Sequence, residues 1–241
     1  LERAVAGAAV AADHADGWKA WRGEVFADVY ATLALGPGFT TALADFLATA
    51  PTTIANESRT ATNWGVYPTS TLRILISTAV LRRQFKDEAQ EIEKTWTMAF
   101  PAHAMTAWEN DCTAIANAII DHGYHQNAFK LSDLVCFTDV NQEHAFRAKE
   151  KALDGAAIGS IDVRELAAAA ALAFAENPKG FDEKTGALSP QARIARQIVA
   201  SRTAGTRAGA GQTDDGPRVV QQTKARDEAL GEDLFAMLRE V

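Results

Sequence analysis

Three features of this 241-residue chain predict an all-α fold. Apolar residues recur at helical spacing through most of its length. No segment alternates polar and apolar residues long enough to make a strand, and the run LAAAAALAFA has very high helix propensity. The expected architecture is an irregular multi-helix bundle. It comprises an N-terminal helical region over 1–100, a helical domain over 101–201, and a flexible basic linker with a terminal docking helix over 202–241.

The elements follow in order. Trp18, Trp21, Val25, Val29 and Leu33 share one helical face, and Gly36-Pro37-Gly38 stops that helix. A shorter helix is expected from Thr40 to Ala48. The stretch PTTIANESRTATNWGVYP, Pro51 to Pro68, reads as a long surface loop with Trp64 and Tyr67 tucked onto the core. Ser70 is a candidate cap for the next helix, whose Leu72, Leu75, Ile76, Ala79 and Val80 form a buried stripe. That helix is expected to continue into LRRQFKDEAQEIEKTW. Thr106 and Glu109 suit a capping box, and behind them Trp108, Cys112, Ile115 and Ile119 make another stripe that ends at Gly123. Shorter helices are expected near 132–138, 142–153 and 163–176. Ser189-Pro190 reads as N-cap and first helical position of a helix ending near Ser201. The segment TAGTRAGAGQTDDGP has linker composition, and a final helix aligns Leu230, Leu234, Met237, Leu238 and Val241 on one side.

Composition bounds the function. With 47% hydrophobic residues the chain can build a sizeable core, and no apolar run reaches the roughly 18 residues of a membrane span. A net charge of −7 argues against a surface devoted wholly to nucleic acid. Two cysteines, Cys112 and Cys136, point to an intracellular, reducing compartment without a disulfide framework. The chain begins at Leu1, which removal of an organellar presequence, for example a mitochondrial one, would explain.

DGAAIGSIDVRE, Asp154 to Glu165, carries the most specific pattern. On a twelve-position calcium loop it places Asp154 first, Gly159 at the turn, Ile161 eighth, Asp162 ninth and Glu165 last. Upstream, HGYHQNAFKLSD lays Asn127, Phe129 and Asp133 on the same template. Residues 106–176 thus resemble a degenerate EF-hand pair of the calmodulin and centrin superfamily, with Phe129 and Ile161 meeting across a short β-bridge. Ala156 and Ile158 stand where two oxygen ligands belong, so calcium binding is not expected. The resemblance implies a protein-binding module. Independently of it, Asp162 and Glu165 have the spacing of a capping box.

Other chemistry is thinly signalled. His103, His122, His125 and His144 lie close in sequence, and His122, His125 and His144 are the candidate metal ligands of an alternative metal-dependent enzyme. No HExxH, CxxC, GxSxG or P-loop occurs, and Cys112 sits at a packing position, so no catalytic residue and no cofactor is expected. Arg193, Arg196, Arg202, Arg207 and Arg218 cluster late in the chain. They suit contacts to phosphates, as in an RNA-binding nucleoprotein or viral coat protein, or to an acidic partner. The favoured reading is a non-catalytic accessory or scaffold subunit of a larger assembly, docking on other subunits through Leu230, Leu234, Met237, Leu238 and Val241.

Overall fold

The computed structural model describes residues 1–124, 129–159 and 161–208, with side chains to Ser201. Among them the chain is helical: α1 (Glu2–Ala6), α2 (Ala15–Ala20), α3 (Arg22–Leu35), α4 (Pro37–Leu47), α5 (Pro51–Asn56), α6 (Ser70–Leu81), α7 (Lys86–Ala99), α8 (Glu109–Asp121), α9 (Leu131–Leu134), α10 (Asp139–Leu153), α11 (Val163–Glu176) and α12 (Pro190–Ala208). The described residues form no strand, only isolated bridges at Thr60–Asn63, Tyr124–Phe129 and Thr185–Leu188. Phe129 therefore pairs with Tyr124, while Ile161 packs into a different part of the core.

The α6 helix is the central one. Leu72, Ile74 and Ile76 are fully buried, and it packs against α3, α4, α7 and α8. Its apolar residues wrap most of its circumference, as in a helix enclosed by neighbours. A first core cluster gathers Trp18, Trp21, Val25, Val29, Leu72, Ile76, Trp108, Cys112, Ile115 and Ile119. A second is built on α10, α11 and α12, from Ala145, Ala148, Leu166, Ala168, Ala169 and Ile194 with Phe85 and Phe137. A third joins Leu43, Ile54, Ile74, Trp96 and Phe100. The clusters draw on both sides of residue 100, because α8 packs on α6 and α11 on α4.

Several boundaries differ from the sequence reading. The expected Thr40–Ala48 helix starts earlier, at Pro37, whose fixed φ suits a first helical position. Gly36 makes the corner at φ +58°, and a Cβ there would lie 2.5 Å from the Phe137 ring, so only glycine fits. The 51–68 loop begins with α5, anchored by fully buried Ile54. Trp64 does pack on the first cluster, but Tyr67 is 48% exposed and lies over the Arg73 guanidinium instead. The helix expected to run on from α6 breaks at Arg82–Phe85, where the Phe85 ring turns inward to the second cluster.

Caps differ as well. Ser70 does not cap α6 with its own oxygen; its N–H and hydroxyl donate to the Glu57 carboxylate at 2.6 and 2.9 Å. Thr106 opens a 3₁₀ turn, and no Thr106–Glu109 capping box forms, because Glu109 engages His103 at 2.6 Å. By contrast, Asp162 and Glu165 form the expected box at the start of α11. The Ser189 hydroxyl accepts from the Ala192 N–H at the start of α12. The α12 helix runs past Ser201 to Ala208, taking in the first residues of the supposed linker. Thr203 to Ala208 contains a single glycine, whose cost of about 1 kcal/mol a helix tolerates. The rest of the linker, with Leu230, Leu234, Met237, Leu238 and Val241, lies outside the described residues.

Candidate functional site

Three of the five histidines are held by separate carboxylates. His14 Nδ1 lies 2.6 Å from Asp111 Oδ2, and the same oxygen accepts from Trp18 Nε1 at 2.9 Å. A carboxylate can only accept, so Nδ1 of His14 carries the proton. The ring stacks on Trp108 at 4.0 Å between centroids, and the assembly is sealed from water. It ties the N-terminal segment to α8 across 97 residues of sequence and offers no open face for a substrate. His103 pairs with Glu109, and His144 Nδ1 meets Glu165 Oε1 at 3.0 Å. That same Glu165 oxygen accepts from Asn141 Nδ2 at 2.7 Å. His122 is half-buried, and desolvation pushes its pKa down, favouring the neutral ring. His125 lies outside the described residues, among which no group of three or more His, Cys, Asp or Glu could hold a metal ion.

Burial pushes the Cys112 thiol pKa up, which removes its nucleophilic form at neutral pH. Of the arginine cluster, Arg193 donates to the Thr185 and Leu188 carbonyls at 2.6 and 3.0 Å and so braces the loop before α12. Arg196 is exposed. Arg202 and Arg207 fall in α12 beyond the described side chains, and Arg218 falls outside the described residues.

The surface that stands out lies between α4 and α7. Thr41, Ala44 and Asp45 of α4 and its C-cap Ala48 fall on one face, at the i, i+3, i+4 and i+7 positions. They oppose Glu91, Ile92, Thr95, Trp96 and Ala99 of α7 and its C-cap Phe100, across a groove of about 320 Å³. Small side chains on both banks leave the Trp96 and Phe100 rings, 4.4 Å apart, within reach of an incoming group. The same two helices carry Phe46 and Met98, the two most exposed large apolar side chains among the described residues at 81% and 74%. Asp45 sits beside this apolar surface, and desolvation raises its pKa. The sequence reading missed the groove. Alanines at i and i+4 leave space only once a second helix faces them, and nothing local announces that.

The arrangement defines an all-α protein with an apolar interhelical groove and, among its described residues, no constellation of nucleophile, base and oxyanion donors. Comparison with known proteins adds no relative: no family model matches the chain, and neither does any curated protein or solved structure. No described helix is long and apolar enough to cross a membrane.

Proposed function

We propose that this chain is a non-catalytic helical subunit of a larger protein assembly, and that the α4–α7 groove receives an amphipathic helix of a partner subunit. One observation carries the reading: a preformed, mainly apolar groove left open between α4 and α7, with Trp96 and Phe100 on its α7 bank. The banks are helix faces onto which a third helix can lay its ridge. Its ionisable groups, Asp45 and Glu91, are both acidic. The matching helix therefore has an apolar stripe bordered by Lys or Arg.

The degenerate EF-hand resemblance over 106–176 belongs to the same reading, since such modules bind proteins. The α10–loop–α11 arrangement with Gly159 at φ +86° is compatible with it. The experiment is co-purification of the full chain, with stoichiometry measured, against Thr95→Arg and Ala48→Arg. Both positions are exposed, so the variants keep the wild-type melting temperature. Loss of a fixed-ratio partner in both variants is expected. Retention of that partner in both, or a monomeric wild type in its native source, overturns the proposal.

A further inference from the structure

A second cavity, of about 420 Å³, opens where the α6–α7 turn meets the start of α10. Gln84 and Phe85 from the turn, Lys86, Asp87 and Glu88 from the first turn of α7, and Asp139, Gln142, Glu143 and Phe146 from α10 line it. Acidic residues in a first helical turn have an ordinary role, opposing the helix dipole, and by themselves mark no site. Gln142 is the independent observation. It is 5% exposed, it lines the cavity, and neither its side-chain oxygen nor its nitrogen has a hydrogen-bond partner among the described residues. A buried amide left with both ends unpaired is costly and rare in native proteins. Of the four carboxylates only Glu143 has an ion-pair partner among the described residues, Arg147 at 3.3 Å.

We infer that this cavity binds the guanidinium group of an arginine on a partner polypeptide. Each part of the lining fits that chemistry. The carboxylates outnumber the single Lys86, so the cavity favours a cation. A guanidinium has five N–H donors and no acceptor, matching carboxylates and the free oxygen of Gln142. Phe146 presents a ring on which a planar cation stacks, and one face of it already attracts an ammonium, Lys149 Nζ at 5.1 Å. A bare metal ion fits less well, because no described cluster has metal-holding geometry. A polypeptide is favoured over a free small cation because the surroundings are apolar at the surface. Phe146 is 39% exposed and Val140, on the first turn of α10, is 59% exposed, giving the residues beside the arginine something to cover. The site is separate from the α4–α7 groove, so either proposal can fail alone.

Titration calorimetry on the full chain tests it with four probes: a short capped peptide with arginine between two leucines, the same peptide with citrulline or lysine in its place, and agmatine. The arginine peptide is expected to bind at one site, at least tenfold tighter than the neutral citrulline peptide and severalfold tighter than the lysine peptide and agmatine. Gln142→Leu and Asp139→Asn are each expected to weaken it at least fivefold. Asp139 is exposed and its variant keeps the fold, so the test stands even if Gln142→Leu does not. Equal binding of arginine and citrulline, an unchanged affinity in Asp139→Asn and Asp87→Asn, or no binding at all overturns the site. Agmatine binding as tightly as the peptide overturns the polypeptide source.

Discussion

The tryptophan-rich half of the molecule and its alanine-rich half reach the same helical architecture by opposite means. Around α2, α3 and α8, Trp18, Trp21, Trp64 and Trp108 meet at ring separations of 5.2 to 5.7 Å. Large rings hold those helices apart, and buried polar ties fix their register: Asp111 with His14 and Trp18, and Asp28 with Arg73. Around α10 and α11 most of the buried positions are alanines, Ala145, Ala148, Ala152, Ala168, Ala169 and Ala173, so backbones approach closely. Gly38 of α4 is so near α11 that a Cβ there would lie 2.8 Å from Ala168 Cα. One half is specified by what fills it, the other by what is left out. The two should respond oppositely to a change of side-chain volume.

The largest loss is expected from Trp108→Ala, which removes the ring touching His14, Trp18, Trp21 and Trp64: about 4 kcal/mol by urea unfolding. A loss below about 1 kcal/mol would show that the tryptophans do not hold the helices apart. Next comes Asp28→Ala. It leaves Arg73 without its two charge-assisted bonds of 2.8 and 2.7 Å in a largely buried setting, at about 3 kcal/mol. The Asp28 carboxylate also holds the Arg73 pKa above its ordinary value, so the guanidinium stays charged across the working pH range.

In the alanine half the sign of the volume change reverses. Ala168→Leu is expected to cost about 2 kcal/mol by overpacking against α4. Ala168→Gly should cost only about 1 kcal/mol of helix propensity. If leucine were tolerated there, the close α4–α11 approach would not be what defines this half.

The smallest effect sharpens the contrast at the groove. Burial raises the pKa of Asp45 in the folded chain, so the folded state holds its proton more tightly than the unfolded one. Stability from this residue is then full below the ordinary Asp value and is lost as pH rises through the raised one. Asp45→Asn should melt slightly above wild type at pH 7, with the difference vanishing at acid pH. A lower melting temperature at pH 7 would mean Asp45 has a stabilising partner.

The helical class and much of the core were legible in the sequence, because apolar spacing reports which face a helix buries. Asp162 and Glu165 were readable as a cap since both partners lie within one turn. The Thr138–Asn141 box that starts α10 was equally local and was overlooked. What could not be read depends on distant partners. Glu57 replaces a Ser70 cap, Asp111 collects His14 and Trp18, and the 82–85 break exists because Phe85 finds a pocket in the second cluster. The candidate sites were legible least of all. The α4–α7 groove is a space between small residues far apart in sequence, and the unpaired amide of Gln142 shows only once its neighbours are placed.

The most direct test of the docking reading is site-specific photo-crosslinking of the full chain in its native source. A photoreactive residue at Thr41 or Thr95, on opposite banks of the groove, is expected to capture the same single partner polypeptide in fixed ratio. One at exposed Gln191 on α12 is expected to capture none of it. A partner crosslinked from Gln191 and not from Thr41 or Thr95 would contradict the assignment of the groove as the docking face.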